Sequence, residues 1–171
     1  MNEQGPETAQ PEAIQWPEGF APQRCPVHVR NELAMPIPAE RVWAWLVRAA
    51  LWPSWYPNSK NVRFLEGQPP DLALGTSFRW WTFGVTIESK VQELVPGERI
   101  AWDARGLGVL AYHAWLIWPT AEGCHVLTEE SQHGWAARLG NLVRPTRMSH
   151  YHQLWLERLR NCAAGGFPPR P

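Results

Sequence analysis

Lysine is almost missing from this 171-residue chain, in which Lys60 and Lys90 are the only two. Sixteen basic side chains balance sixteen acidic ones, so the formal net charge is zero. Proteins that bind nucleic acid without sequence preference need a surplus of positive surface charge. Aromatic residues interleaved with arginines can stack on single-stranded bases, but the missing charge argues against that role. We therefore expect no nucleic acid partner.

Cysteines are few, and no long apolar run is present. Cys25, Cys124 and Cys162 are far apart and form no C-x-x-C motif, which favours a reduced, cytoplasmic setting. No uncharged stretch approaches the length needed to span a bilayer, so we expect no stable membrane insertion. The acidic, proline-rich N-terminal stretch lacks the basic and apolar regions of a signal peptide, and none is expected.

The balanced total hides an uneven distribution of charge. Residues 1–18 carry four glutamates and no base, whereas residues 135–162 carry five arginines against Glu157 alone. A basic C-terminal helix can contact anionic lipid or a partner, or it can simply have a solvated outer face. The sequence leaves these alternatives open.

What the chain has in quantity is tryptophan, with twelve in all. Trp80 and Trp81 are adjacent in a strand-like run, so the pleat sends them to opposite faces of a sheet. Trp43 and Trp45 lie about 200° apart around a helix axis. A chain of this length fits one domain with one core. One tryptophan of each pair should therefore point away from that core. We therefore expect the surplus indoles to line a cavity, a ligand mouth or a partner surface.

The pattern of apolar residues indicates an α+β domain. Residues 1–22 are predicted to be a disordered tail, residues 23–164 a single domain, and residues 165–171 a frayed end. A first strand over residues 25–34 precedes a helix that begins near Pro38 and a short second helix near residues 51–57. Six further strands are predicted at residues 61–66, 76–83, 85–94, 99–104, 109–118 and 125–131, with short turns that imply an antiparallel meander.

After Gly134 the pattern is helical to Ala164, and Pro145 should kink or divide this helix. An apolar stripe includes Met148, Trp155 and Leu159. An antiparallel sheet with one long helix must curl around that helix to bury both apolar faces, and the space between them is a natural pocket.

Several segments, taken in order, resemble the START/Bet v 1-like superfamily, which includes polyketide cyclases, dehydrases and lipid-transport proteins. The segments are IPAERVW at 37–43, WPSW at 52–55, LGTSF at 74–78, VQELVPGERIAW at 91–102, HAWLIWP at 113–119, EESQHG at 129–134 and WLERL at 155–159. The resemblance implies a helix-grip fold, in which a curved seven-stranded antiparallel sheet wraps around a long C-terminal helix. It also implies a cavity for a hydrophobic small molecule.

Members of this superfamily include lipid and hormone carriers, aromatic polyketide cyclases and activators of a chaperone ATPase, so the fold alone does not give the function. The resemblance therefore leaves three hypotheses. We expect first a protein that binds a small hydrophobic or aromatic ligand, lipid-like or polyketide-like, without chemistry. The second is a cyclase, aromatase or dehydratase that uses the same pocket. The third is a protein-interaction module with exposed tryptophans.

Strand alternation supplies candidate pocket residues. His113 and Trp115 share one face of their strand, as do Arg79 and Trp81 of theirs. We expect these side chains and Glu130 to face the C-terminal helix, from which Tyr151 and His152 approach. The predicted ligand-binding set is Arg79, Trp81, His113, Trp115, Glu130, Tyr151, His152 and Trp155.

Within that set, His113 and Glu130 are the candidate catalytic pair, because burial and pairing can tune both groups for acid–base work. The alternative is that His113 only hydrogen-bonds inside the core and that Glu130 faces Arg79 or solvent. We expect no cofactor and no metal, since His150 and His152 are two residues apart and point in different directions on a helix. The GLGVLA segment at 106–111 is a predicted hairpin turn, since no helix follows it.

Overall fold

The computed structural model describes residues 14–170, which form one curved seven-stranded antiparallel sheet with helices on its inner face. The sheet order is β1-β7-β6-β5-β4-β3-β2, so only β1 leaves the meander to pair with β7. The strands are β1 (Val27–Met35), β2 (Lys60–Glu66), β3 (Ser77–Thr82), β4 (Val85–Val95), β5 (Arg99–Gly106), β6 (Val109–Thr120) and β7 (Gly123–His133). The predicted fold class and helix-grip architecture are confirmed.

Within residues 14–170, four α-helices accompany the sheet: α1 (Ala39–Val47), α2 (Trp52–Trp55), α3 (Trp135–Val143) and α4 (Arg147–Ala164). The predicted last helix is divided at Pro145, because proline disfavours helical backbone at the preceding residue. Arg144 accordingly has φ −141° and ψ 72°, outside the helical region. Because of this division, α3 runs in its own direction over one end of the sheet, whereas α4 lies against the inner face of the curved sheet.

The core lies between the inner face of the sheet and α1, α2 and α4. Its apolar side chains come from alternate positions of the strands and from one stripe of α4, whose buried members include Trp155, Leu156 and Leu159. Burial of this stripe is the main stabilisation of α4, at about 25 cal/mol for each Å² of apolar surface removed from water. This core fills one end of the space between the curved sheet and α4, and the other end of that space stays open.

The segment before β1 packs on the outer face of the sheet. Ile14, Trp16 and Phe20 cover Tyr112 and its neighbours on β5 and β6, with the Trp16 and Tyr112 ring centroids 5.9 Å apart. Residues 14–21 thus lie against the sheet, unlike the disordered tail that the acidic composition suggests, because three apolar side chains find an apolar surface there. The remainder of that predicted tail, residues 1–13, lies outside the described residues.

The segment after α4 folds back onto α1. The Trp45 indole N–H donates to the carbonyl of Gly166 at 2.8 Å, and the Arg41 guanidinium lies over the Phe167 ring at 5.9 Å. Residues 165–169 are therefore held at this surface rather than frayed, and Pro171 lies outside the described residues. Trp45, which also packs against the main core, thus links α1 to this segment.

Candidate functional site

A cavity of about 170 Å³ occupies the open end of the grip, between the inner face of the sheet, α3 and the first half of α4. Its walls are mainly apolar. They include the indoles of Trp80, Trp102 and Trp155, the ring of Phe83, and small side chains from β5, β6 and α3. The polar lining comes from Thr82, His113, Glu130, Gln132, Asn141, Arg144 and Arg147.

The pleat and the register of the sheet determine which side chains enter this cavity. Trp80 of β3 lies opposite Ile87 of β4, and Trp102 of β5 lies opposite His113 of β6. Both pairs occupy inward positions, because residues directly opposite each other on neighbouring strands point to the same face of the sheet. The wall is thus built from several strands whose registers match.

Indole rings form the floor of the cavity. Trp52 lies edge-on to Trp80 and Trp155, with ring centroids 5.4 Å and 5.2 Å away, and it contacts Trp102 at 5.6 Å. Tyr56 stacks on Trp155 at 4.3 Å. Such aromatic pairs contribute about 0.5–1.5 kcal/mol each beyond the burial of their area. This floor is a stiff, preformed apolar surface.

One polar cluster interrupts the apolar wall. The Glu130 Oε2 atom lies 3.1 Å from His152 Nε2 and 3.3 Å from His113 Nδ1, and Glu130 Oε1 accepts a hydrogen bond from the Gln132 amide at 2.5 Å. On its other side, His113 Nε2 lies 2.7 Å from the Thr128 hydroxyl. Three strand residues and one helix residue are therefore joined in one network around a single carboxylate.

Electrostatics assign the charge states of this network. Burial lowers the pKa of His113 well below its usual range, and the nearby Glu130 only partly offsets that effect. Burial would raise the pKa of Glu130, but His113 and the hydrogen bonds from His152 and Gln132 hold it low. Near neutral pH, Glu130 is therefore an ionised acceptor and His113 is a neutral imidazole with its Nδ1–H toward the carboxylate.

The same three side chains are the candidate metal ligands among residues 14–170. Their donor atoms in His113, Glu130 and His152 lie within 4.8 Å of one another. The two imidazole rings, however, stack almost parallel, with centroids 4.7 Å apart and planes only 6° from each other. Ring-nitrogen lone pairs lie in the ring plane, so two stacked rings do not direct them to one point. The arrangement suits hydrogen bonds to Glu130 better than it suits an ion.

Two arginines border the cavity where α3 gives way to α4. Arg147 is half-buried, with its guanidinium 5.6 Å above the Phe83 ring and 6.0 Å from the Tyr151 ring, while Arg144 is exposed. Neither guanidinium has a carboxylate partner in the described part of the chain. The cavity thus has positive charge at its mouth and an ionised carboxylate in its wall.

The structure brings most of the predicted site residues together. His113, Glu130 and Trp155 line the cavity. Trp115 and His152 lie directly behind them: the Trp115 ring contacts Trp155 at 5.1 Å, and the His152 ring stacks on His113. Tyr151 packs edge-on against cavity-lining Phe83 at 5.5 Å but does not itself line the cavity.

The expected placement of Arg79 and Trp81 in the cavity is wrong. Both lie on the outer face of β3, where Arg79 pairs with Glu88 and the Lys60 ammonium sits 4.8 Å from the Trp81 ring. The inward residue of the tryptophan pair is Trp80, which is 3% exposed. The reason is register: Trp80 lies opposite Ile87, and the apolar inward positions of β3 and β4 must coincide.

Several cavity residues were not predicted from the sequence. Trp80 and Trp102 could have been found by alternation once the registers of β3–β4 and β5–β6 were known. Gln132 shares a strand face with Glu130, which was a usable signal. The small side chains of α3 gave no signal, because alanine and glycine carry no chemistry of their own.

No helix within residues 14–170 is long and apolar enough to cross a membrane. Cys25, Cys124 and Cys162 are free in the structure. A cytoplasmic location stays a prediction.

Among solved structures, a hypothetical protein of Helicobacter pylori, jhp0584, is similar to this chain at 29% identity. The match covers 91% of this chain and 98% of that one, with a TM-score of 0.82. The allergen Ara h 8.0201 shares the fold at 14% identity and a TM-score of 0.64, over 82% of this chain and 98% of that one. No curated protein sequence matches this chain.

The di-domain ARO/CYC protein StfQ of the steffimycin biosynthetic pathway shares the fold as well. Its TM-score is 0.67 at 18% identity, and the match covers 81% of this chain and 51% of that one. The family model for polyketide cyclase/dehydrase and lipid transport matches residues 26–161, which is nearly the whole described domain. The chain therefore belongs to the polyketide cyclase/dehydrase and lipid transport family of the START/Bet v 1-like superfamily.

Proposed function

We propose that this protein binds a small, mainly aromatic ligand in the cavity between the sheet, α3 and α4. The observation that supports this best is the composition of the wall, in which three indoles and Phe83 surround one ionised carboxylate. Small-molecule sites combine apolar walls with a few fixed polar groups in this way. The ligand that fits has a flat apolar body and a hydrogen-bond donor, such as a hydroxyl, directed at Glu130.

The test uses N-phenyl-1-naphthylamine, a neutral aromatic probe whose fluorescence rises in apolar surroundings. Ala111→Leu places a branched side chain into the cavity from β6, so we expect at least a tenfold loss of probe affinity. Because the cavity has room for the added carbons, the free energy of unfolding should change by less than about 1.5 kcal/mol. Thr86→Leu, an exposed position on the outer face of β4, is the matched control.

Equal affinity of wild type and Ala111→Leu would contradict the proposal, since the probe would then bind outside the cavity. Absence of binding by the wild-type protein, to this probe and to neutral polycyclic aromatics of similar size, would contradict it too.

A second candidate, catalysis of a cyclase or dehydratase type, is favoured by the His113–Glu130–His152 cluster. Glu130 could remove a proton from a carbon next to a carbonyl group, with His113 and His152 holding the carboxylate in place. The low pKa of Glu130 makes it a weak base near neutral pH, however, and this favours ligand orientation over proton abstraction.

Acetophenone in D₂O separates the two candidates. An enzyme should accelerate exchange of the methyl protons of this aryl ketone, as followed by NMR, and Glu130→Gln should abolish the acceleration. A binding protein should leave the exchange rate at its solvent value, while Glu130→Gln alters only affinity.

A further inference from the structure

Helix α3 directs its small side chains inward and its large apolar side chains outward, which is the reverse of the usual arrangement. Surface helices direct large apolar side chains toward the core and polar ones toward water. In α3, Ala136, Ala137 and Gly140 face the cavity, and Ala137 is the only buried residue. The large apolar side chains of the helix point outward instead.

We call this outward surface the apolar patch. It consists of Leu107 in the β5–β6 turn and of Trp135, Leu139, Leu142 and Val143 on α3, which are 71%, 63%, 53%, 79% and 67% exposed. These are five of the nine exposed large apolar side chains within residues 14–170. The α3 members follow the spacing i, i+4, i+7 and i+8, so they form one stripe.

The turn before β6 fixes the patch to the sheet. The Ala136 N–H donates to the Gly108 carbonyl at 3.1 Å, and a Cβ on Gly108 would come within 2.5 Å of the Trp135 ring. The Trp135 ring is thereby held against the turn that carries Leu107. An exposed apolar surface of this kind usually marks a contact site.

Charge around the patch identifies the occupant. Arg138 on α3 and Arg144 directly after its last residue are exposed, and no acidic residue occurs between Ser131 and Leu156. A two-fold dimer through this face would bring the arginines of both copies together, and α3 itself carries no carboxylate to neutralise them. An anionic surface that accepts protruding apolar side chains is the better match.

We propose that the apolar patch docks on a bilayer that contains anionic lipid. Leu139, Leu142 and Val143 enter the boundary between headgroups and acyl chains, Trp135 lies at the interface, and the two arginines contact headgroups. The helix lies in the plane of the surface rather than across the membrane. If the proposed ligand function holds, docking also places the cavity mouth next to lipid, where a poorly water-soluble ligand could enter beneath α3.

Co-sedimentation with vesicles tests the proposal on the full chain. Phosphatidylcholine vesicles with one quarter phosphatidylglycerol should bind the protein, and pure phosphatidylcholine vesicles should bind it much more weakly. The double variant Leu142→Ser/Val143→Ser should lose about tenfold in affinity, because its apolar area no longer enters the lipid. Arg138→Gln and Arg144→Gln should each lose about fivefold.

Leu65→Ser/Leu74→Ser is the matched control, because both leucines are exposed but lie outside the patch, at 48% and 65% exposure. This variant should bind vesicles like the wild type. Since all of these side chains are exposed, urea denaturation should show unchanged folding.

Three results would overturn the proposal. One is no binding to the anionic vesicles by a folded wild-type protein. Another is equal loss of binding in the patch and control variants. The third is a concentration-dependent dimer that Leu142→Ser/Val143→Ser disrupts while vesicle binding is absent, which would identify a second copy as the occupant. Because these measurements use no cavity probe, they stand whether or not N-phenyl-1-naphthylamine binds.

Discussion

The two walls of the cavity are built in opposite ways. On the sheet and α4 side, Trp80, Trp102 and Trp155 are at most 3% exposed and pack against one another. On the α3 side, the inward residues are alanine and glycine, while Leu142 stands 79% exposed. The first wall is stabilised by the packing of large side chains. The second wall buries little apolar area and is therefore held weakly. The difference indicates a rigid wall of packed side chains that faces a helix which can be displaced at low cost.

The largest effect should come from removing a piece of the rigid wall. Trp155→Ala should lower the free energy of unfolding by about 3–5 kcal/mol, because it leaves a cavity at the centre of the aromatic floor. Leu142→Ala on α3 should change it by no more than about 0.5 kcal/mol. Urea denaturation followed by far-ultraviolet circular dichroism measures both. Similar losses in the two variants would show that α3 is as firmly packed as the floor.

An intermediate effect should come from acid. Burial lowers the pKa of His113 in the folded protein. Below about pH 6.5, His113 therefore binds a proton in the unfolded chain but stays neutral in the folded one. The free energy of unfolding should therefore fall as the pH drops from 7 to 5, and this histidine should contribute about 1–2 kcal/mol of the loss.

Urea denaturation of His113→Gln at pH 7, 6 and 5 checks this, since the variant should lose less stability across that range. His150→Gln, which removes an exposed imidazole from α4, controls for the loss of a histidine as such. A wild-type pH slope in His113→Gln would contradict the assignment of a neutral, buried His113.

The smallest effect should come from strengthening α3 itself. A Cβ added at Gly140 meets no atom within 4 Å, so Gly140→Ala should stabilise the helix by about 0.5–1 kcal/mol. Amide hydrogen exchange should then slow about threefold within α3 and remain unchanged in β6.

Gly134→Ala is the contrasting control for Gly140→Ala, since Gly134 has φ +106° and its Cβ would fall 2.1 Å from the Gly108 carbonyl oxygen. It should therefore loosen α3. If Gly140→Ala also slowed exchange throughout the sheet, α3 would belong to the same cooperative unit as the floor.

Most of the fold could be predicted from the sequence, because turn residues, prolines and apolar periodicity act on the backbone locally. Turn residues separated the strands, and Pro145 marked the division between α3 and α4. Which of the two adjacent tryptophans faces inward could not be read from the local sequence. Trp80 and Trp81 are equally apolar, and only pairing with β4, where Ile87 is inward and Glu88 outward, determines which one enters the cavity.

The polar cluster was predictable in part for the same reason. His113 and Glu130 fall opposite each other in the β6–β7 register, so alternation on each strand gave both the right face. Their link to His152 depends on how α4 sits in the grip. The reversed faces of α3 depend on the cavity behind it, which no property of its own nine residues encodes.

The contact between Trp52 and three other indoles has a photophysical consequence. Rings held 5.2–5.6 Å apart at fixed angles couple their electronic transitions, and excitation absorbed by any of the four can migrate among them. A quencher that reaches Trp80, Trp102 or Trp155 from the cavity therefore darkens Trp52 as well, although Trp52 does not line the cavity. Because excitation is shared among them, the four indoles respond together to a quencher that reaches any one of them from the cavity.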